Sequence, residues 1–232
     1  AGVDTLPGTS AEILDQKIRD QIAPGRITVK QWMDVVGTAH RVGITTTSTI
    51  MFGHIESNLQ RAEHLVQIRD LQKATGGFTE FVPLSFVHSE APMFFRKTLE
   101  GLRSGATGLD VILMHAIARI MLHGYISNIQ CSWVKEGPKL AQLLLTAGCN
   151  DVGGTLINES ISTSAGSGFG QLVPPSELRN WIRDLGRIPA ERTSGYEIRR
   201  VFHQEPNELE PLDLAAQHPQ QFGSYAELIK LD

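Results

Sequence analysis

The chain has 232 residues, a formal net charge of −4 and 41% hydrophobic residues, which is enough for one full domain with a sizeable core. Its charged content of 20% does not favour disorder, and its pI of about 6.1 gives no overall basic surface for nucleic acid. The longest apolar stretch, 111–122, is interrupted by His115 and Arg119 and is too short and too polar to span a bilayer. Neither a nucleic-acid partner nor a membrane partner is therefore expected.

Two cysteines, Cys131 and Cys149, form neither a CxxC pair nor a metal-ligand spacing. The simplest interpretation is an intracellular, reducing compartment, although the count also allows one disulfide. The first twelve residues show no basic segment followed by an apolar run, so no signal peptide is predicted. The chain starts without Met and within what resembles the middle of a fold, which predicts a fragment or a processed product.

Apolar periodicity and helix-breaking residues predict an alternation of helices and strands. In chain order the prediction is helix 10–22, helix 28–41, strand 44–52, helix 58–74, strand 78–86, helix 109–123, strand 126–134, helix 138–147, strand 150–158 and helix 176–185.

The same patterns predict where helices begin and which faces they bury. Ser10 and Ser176 are plausible N-caps of their helices. Helical spacing predicts the buried faces of two further helices: Trp32, Val35, Val36 and Ala39 in 28–41, and Ile112, Leu113, Ala116, Ile120 and Met121 in 109–123.

Strands that alternate with helices predict a parallel sheet with helical crossovers, either an open doubly wound sheet or half of a (β/α)8 barrel. The alternation within strand 126–134 favours a barrel, because polar side chains along one face fit a barrel interior. The same alternation directs Cys131 towards the helices, as a packing residue. The polar face carries Asn128, Gln130 and Ser132, and the apolar face carries Ile129, Cys131 and Trp133.

In a barrel, functional groups collect where strands lead into the following loops. His54 and His88 lie at such positions and could be acids, bases or ligands, or simply solvated loop histidines. Glu56 could bind a cofactor hydroxyl, or it could be a carboxylate that favours a helix N-terminus. Lys135, taken alone, is more typical of a surface. Glu159 follows two glycines, which either let the backbone approach a ligand or allow tight packing.

Four strings carry a resemblance to one family. They are TAHRVGITTTSTIMFGHIE, FTEFVPLSFVHSEAP, NIQCSWVKEGP and NDVGGTLINESIS. They resemble the radical S-adenosylmethionine (SAM) enzymes that make the deazaflavin FO, in the tyrosine-using half of FO synthase, the 4-hydroxyphenyl transferase. The menaquinone-pathway enzymes aminofutalosine synthase and dehypoxanthine futalosine cyclase share weaker versions. The resemblance covers roughly residues 1–192.

The resemblance implies a radical SAM (β/α)8 TIM-type barrel with a 4Fe-4S cluster on a CxxxCxxC loop. SAM would give a 5′-deoxyadenosyl radical that activates L-tyrosine for joining to 5-amino-6-(D-ribitylamino)uracil, and a partner subunit or domain would close the FO ring. This chain has no CxxxCxxC, although three thiolates are needed to hold the cluster.

We therefore expect residues 1–189 to be the carboxy-terminal half of the barrel, with strands five to eight and the closing helices. Residues 190–232 would form an irregular tail. The missing amino-terminal half would hold the cluster, so no metal ligand is assigned in this chain and the chain alone is expected to be inactive. A menaquinone-pathway enzyme and a truncated non-catalytic module remain as alternatives.

Residues 50–56, IMFGHIE, resemble the radical SAM pattern IxGxxE, although two residues rather than one separate Ile50 from Gly53, and Ser48 stands in place of the first glycine of the longer form GxIxGxxE. This match implies that the strand end meets SAM. Position alone suggests the remaining roles. The expected SAM-binding residues are Ile50, Met51, Gly53 and Glu56. The candidate catalytic residues are Glu159 and His88, of which His88 would handle a proton near tyrosine. The candidate substrate-binding residues are Gln130, Ser132 and Asn158.

Overall fold

Helices and parallel strands alternate along most of the chain. The computed structural model describes residues 2–156, 159–169, 172–203, 209–218 and 220. The elements are β1 (Thr5–Leu6), α1 (Gln16–Ile22), α2 (Val29–Arg41), β2 (Thr45–Phe52), α3 (Asn58–Thr75), β3 (Phe78–Ser85), α4 (Pro92–Phe95), α5 (Gly108–Met121), α6 (Trp133–Glu136), α7 (Pro138–Leu144), α8 (Ser160–Ser164), α9 (Pro175–Arg183), β4 (Ala190–Arg192), β5 (Ile198–Val201) and a 3-10 helix (Pro211–Gln217).

The central sheet is parallel, as predicted. β1, β2 and β3 pair in that order, and β2 and β3 run together from Thr46 to Phe52. Two single parallel bridges extend the order beyond β3, the first between Phe81 and Ile129 and the second between Gln130 and Asp151. The short strand β1 was not predicted from the sequence.

The predicted strands 126–134 and 150–158 are too long. In the described residues each is reduced to its bridge positions, because the chain turns soon afterwards. The carbonyl of Ser132 accepts the N–H groups of Lys135 and Glu136, both at 3.0 Å, which starts α6 inside the first of these segments. In the second, Gly153 has a positive φ of 73°. Residues 157 and 158 lie outside the described residues.

Local capping determines where most helices begin. Thr28 and Ser57 each form a capping box with the glutamine three residues later, so α2 and α3 begin where the sequence predicts. The prediction for α1 was wrong, since its N-cap is Asp15. Ser10 has a φ of 62°, which a residue opening a right-handed helix does not adopt. The predicted N-cap Ser176 is also wrong, because Pro174 occupies that position.

The buried face of α5 differs from the predicted one. Leu113 and Ile120 are 48% and 75% exposed, whereas His115 is fully buried. The buried face predicted from the sequence did not include a histidine. The predicted face is therefore rotated about the helix axis relative to the face that is buried in the structure. Val35 of α2 is likewise exposed, whereas Trp32, Val36 and Ala39 are buried as predicted. The residues of α5 that enter the core are Val111, Met114, His115 and Ala118.

The described part of the predicted irregular tail contains regular structure. β4 and β5 form an antiparallel pair, and a 3-10 helix follows. The pair is held to the central sheet by Arg192, which forms an ion pair with Asp151, and by Tyr196, which hydrogen-bonds Glu80. Within the described residues, no helix is both long enough and apolar enough to cross a bilayer.

Candidate functional site

The carboxyl ends of the parallel strands form one edge of the sheet. We call it the carboxyl edge and define it as residues 51–56, 85–88, 132–136 and 154–156 together with Glu159. Parallel strands bring these segments together, although they are separated along the chain. Most of the site residues predicted from the sequence belong to this edge.

Glu56 organises the loop after β2. Its side chain is fully buried, and its two oxygens accept the N–H groups of Gly53 and His54 at 2.7 and 2.9 Å. Arg61 approaches Oε1 to 2.6 Å. Burial alone would raise the pKa of Glu56, but His54, the Gly53 amide and Arg61 hold it below its usual value. Both oxygens are thus engaged within the loop, so Glu56 fixes the backbone and its carboxylate is not exposed to a ligand.

The other predicted SAM-binding residues lie around this loop. Gly53 has a φ of 91°, and a Cβ placed there would lie 2.4 Å from the backbone nitrogen of Ala106. Ile50 is fully buried. The amide of Met51 donates to the carbonyl of Glu12 at 2.6 Å, and its carbonyl is 3.0 Å from Nε2 of His54. The backbone polar groups of Met51 are therefore satisfied internally, and its half-buried side chain is what remains accessible.

The two candidate histidines differ in environment. His54 is fully buried, so it is not a solvated loop histidine. Desolvation lowers its pKa, whereas Glu56, whose Oε2 lies 3.1 Å from Nδ1, and the Met51 carbonyl act in the opposite direction. His88 is half-buried, with its ring edge-on to Phe94 at a centroid distance of 4.7 Å.

Glu159 and Ser132 take part in starting helices. The carboxylate of Glu159 accepts the N–H groups of Ile161 and Ser162 at 3.2 and 2.8 Å, which caps α8. Ser132 precedes α6 and is half-buried at the carboxyl edge. The third residue predicted nearby, Asn158, lies outside the described residues.

Sequence reasoning missed two carboxylates near this edge. Glu136 hydrogen-bonds Ser85, while its Oε1 is buried and has no partner in the described residues. Burial raises the pKa of Glu136 and lowers that of the neighbouring Lys135 ammonium, on which Glu159, Glu136 and Glu12 act in the opposite direction. Glu136 could have been identified from its place after Lys135 at a strand end. Nothing in the local sequence pointed to Glu12.

Gln130 lies away from the loops of the carboxyl edge. Its amide nitrogen donates to Glu80 at 2.9 Å, and Glu80 is the third residue of β3, near the amino end of that strand. Tyr196 also donates to Glu80, and Arg192 pairs with Asp151. Burial raises the pKa of Glu80. Gln130 thus belongs to a polar network that attaches the β4–β5 pair to the sheet, and the structure does not bring it together with Glu56 or Glu159.

The two cysteines do not fit an iron–sulfur cluster. Both are free and buried, and Cys131 hydrogen-bonds Cys149. Cys131 also packs against α7, with Sγ 3.6 Å from the Ala141 carbonyl oxygen, which confirms its predicted orientation towards the helices. A cluster needs three accessible thiolates, and this chain contains two cysteines.

Comparison with known proteins gives a consistent result. Residues 75–205 match the family described as the CofH/MqnC C-terminal region. The chain is 49% identical over 197 residues to 5-amino-6-(D-ribitylamino)uracil–L-tyrosine 4-hydroxyphenyl transferase 1 of Methanococcus maripaludis strain S2, covering 85% of this chain and 54% of that protein.

Two further relatives bear the same description. The protein of Methanothermobacter thermautotrophicus is 50% identical over 197 residues, covering 84% of this chain and 53% of that protein. The protein of Methanopyrus kandleri is 46% identical over 202 residues, covering 87% and 54%. The chain thus spans about half the length of the curated relatives that it matches.

Proposed function

Because the chain belongs to the CofH/MqnC C-terminal family, we propose that it is the carboxy-terminal portion of a radical SAM 4-hydroxyphenyl transferase of FO biosynthesis. The observation that carries this proposal is 49% identity over 85% of the chain to a protein of that description. The parallel sheet with helical connections supports the carboxy-terminal half of a (β/α)8 barrel over residues 1–189, followed by the tail 190–232.

The proposed substrates are L-tyrosine and 5-amino-6-(D-ribitylamino)uracil, which the names of the relatives contain. The proposed partners are an amino-terminal half-barrel, which would hold the cluster, and an FO ring-closing subunit or domain. When bound, the cluster and SAM supply the radical chemistry. Because the residues of this chain do not fit the cluster, their task is to position the other reactants and to exclude water. The free thiols suit an intracellular, reducing compartment.

The contacts of the predicted residues support specific tasks for them within this proposal. Glu56 acts on SAM indirectly, by fixing the backbone of Gly53 and His54, and the side chain of Met51 meets the ligand. Ile50 supports the loop from within the core. His88 moves a proton near tyrosine.

Glu159 and Ser132 line the substrate space at the carboxyl edge, with Glu159 also capping α8. Asn158 is proposed to bind substrate on its sequence position alone. Gln130 contributes through Glu80, by holding the β4–β5 pair against the sheet, rather than by touching the uracil. These roles revise the direct contacts expected for Glu56 and Gln130.

The test is an anaerobic assay of the complete enzyme, assembled from this chain and the cluster-binding half. We expect formation of the coupled product only when both L-tyrosine and the aminouracil are present. Turnover of a futalosine-type substrate instead would establish the menaquinone-pathway alternative. If the cluster-loaded enzyme releases no 5′-deoxyadenosine with either set of substrates, the result would support the alternative that the chain is a non-catalytic module.

A further inference from the structure

Lys135 keeps an ammonium group at the carboxyl edge without a direct partner. The side chain is half-buried, and within the described residues it forms no hydrogen bond and no ion pair shorter than 4.0 Å. Desolvation lowers its pKa. A cation that is partly withdrawn from water and left unpaired costs free energy, which is typical of groups kept for a ligand.

Glu12 supplies an opposite charge next to the carboxyl edge. It is a non-glycine residue with a φ of 46°, and its carbonyl accepts the Met51 N–H at 2.6 Å, so its backbone is fixed beside the carboxyl end of β2. Its side chain is half-buried, and in the described part of the chain its carboxylate has no hydrogen bond or ion pair. Its charge acts on Lys135 and on the buried Arg19. Backbone strain of this kind persists where the surrounding structure imposes it, often at functional sites.

The other carboxylates near Lys135 are less available to a ligand. Glu159 accepts two backbone N–H groups of α8. Glu136 hydrogen-bonds Ser85, and its Oε1, which has no partner in the described residues, is buried, so desolvation raises the pKa of Glu136 and disfavours its charge. Glu12 and Lys135 therefore remain as opposite charges that interact at a distance but do not touch. A ligand that carries an anionic and a cationic group a short distance apart would provide a partner for each of these two side chains.

We infer that Glu12 and Lys135 hold the charged end of an α-amino acid, with Lys135 binding its carboxylate and Glu12 binding its ammonium group. The two ligand charges are joined through a single carbon, so such a ligand can bridge separated side chains of opposite sign. The identification of that amino acid as L-tyrosine rests on the proposed function. The assignment makes these residues determinants of specificity for the amino-acid end of the substrate.

The test measures equilibrium binding to the complete enzyme with three related ligands. L-Tyrosine carries both charges, tyramine lacks the carboxylate and 4-hydroxyphenylpropanoate lacks the ammonium group. We expect the wild-type enzyme to prefer L-tyrosine over both. Lys135→Gln should weaken L-tyrosine binding about 10- to 100-fold while leaving tyramine binding unchanged, since a hydrogen bond to a charged group is lost. Glu12→Gln should weaken L-tyrosine similarly while leaving 4-hydroxyphenylpropanoate unchanged.

Two exposed residues provide matched controls, Lys139→Gln and Glu63→Gln, which should keep the wild-type affinities. If Lys135→Gln weakens all three ligands equally, or keeps the wild-type discrimination, the inference is overturned. If the wild-type enzyme makes product from tyrosine and both site variants keep their discrimination, only the inference fails. If the variants lose discrimination towards a different α-amino acid, the inference stands and the proposed function fails.

Discussion

His64 and His115 place two imidazole rings in the core as neutral groups. Nδ1 of His64 accepts the Leu14 N–H at 3.0 Å, and Nδ1 of His115 lies 2.8 Å from the Val111 carbonyl oxygen. Burial lowers the pKa of His64 to about 3 and that of His115 to about 4, from 6.5. Nε2 of His115 has no partner in the described residues, and Nδ1 of His64 already accepts an N–H, so protonation of either ring would place a poorly compensated charge in the core.

Folding stability should therefore fall as the pH drops below 6.5. The unfolded chain then binds protons that the folded chain excludes until the pH reaches about 4 at His115 and about 3 at His64. Each such histidine contributes about 1.4 kcal/mol per pH unit in that interval. Denaturant unfolding of the complete protein between pH 7 and 5 should show a smaller slope in His115→Gln. The exposed-residue variant His123→Gln should keep the wild-type slope, and an equal slope in both would contradict this account.

Cys131 offers a second test at the residue scale. Because it is fully buried beside Cys149 and α7, Cys131→Ala should cost on the order of 1–2 kcal/mol of unfolding free energy with little effect on turnover. The hydrogen bond with Cys131, together with burial, raises the pKa of Cys149. Thiol reagents should therefore label both cysteines slowly in the native protein and fast in denaturant. Rapid native labelling of Cys131 would show that it is not buried.

At the scale of elements, local signals were the reliable ones. The capping boxes of α2 and α3 are complete within four residues, so their starts could be predicted from the sequence alone. The buried face of α5 depends on which of its side chains the rest of the fold covers. Because His115 is among the buried ones, the buried face differs from the one predicted from the sequence. Likewise, the Glu56 carboxylate accepts backbone N–H groups only two and three residues away, whereas the electrostatic interaction of Glu12 with Lys135 joins segments more than a hundred residues apart.

Two glycines with positive φ differ in whether the surrounding structure leaves room for a side chain. Gly53 and Gly76 have φ values of 91° and 68°, but only at Gly53 would a Cβ meet other atoms, at 2.4 Å from the Ala106 nitrogen. Gly76→Ala should cost about 1–2 kcal/mol, from the left-handed conformation alone. Gly53→Ala should cost at least about 3 kcal/mol, since the segment at Ala106 must also move. Thermal or denaturant unfolding measures the loss of stability in each variant. Equal losses would mean that the segment at Ala106 moves aside at little cost.

At the scale of the whole molecule, the sheet has limited pairing at its sides. β1 contributes two residues, and Asp151 makes a single bridge at the other side of the described sheet. On the outside, α5 exposes Leu109, Leu113, Ile117 and Ile120. Unpaired strand edges and exposed apolar side chains both favour association.

The chain on its own should therefore be poorly soluble or oligomeric, and it should neither hold a 4Fe-4S cluster nor cleave SAM. Co-expression with the cluster-binding half should give a brown, soluble complex, since the two pieces would pair their strand edges. Size-exclusion chromatography, iron analysis after anaerobic reconstitution and a 5′-deoxyadenosine assay would measure these outcomes. A monomer of this chain that binds the cluster and releases 5′-deoxyadenosine would contradict the half-barrel proposal.

Trp133 gives the carboxyl edge an optical property. Its indole is 2% exposed, and its N–H donates to the Gly154 carbonyl at 2.9 Å, so the fluorophore joins the start of α6 to the segment that leads towards Glu159. The other tryptophans, Trp32 and Trp181, are also buried but lie in α2 and α9. With both replaced by Phe, the emission wavelength of Trp133 would follow the hydration of this edge directly. Ligand entry beside Lys135 could then be timed in solution without any added dye.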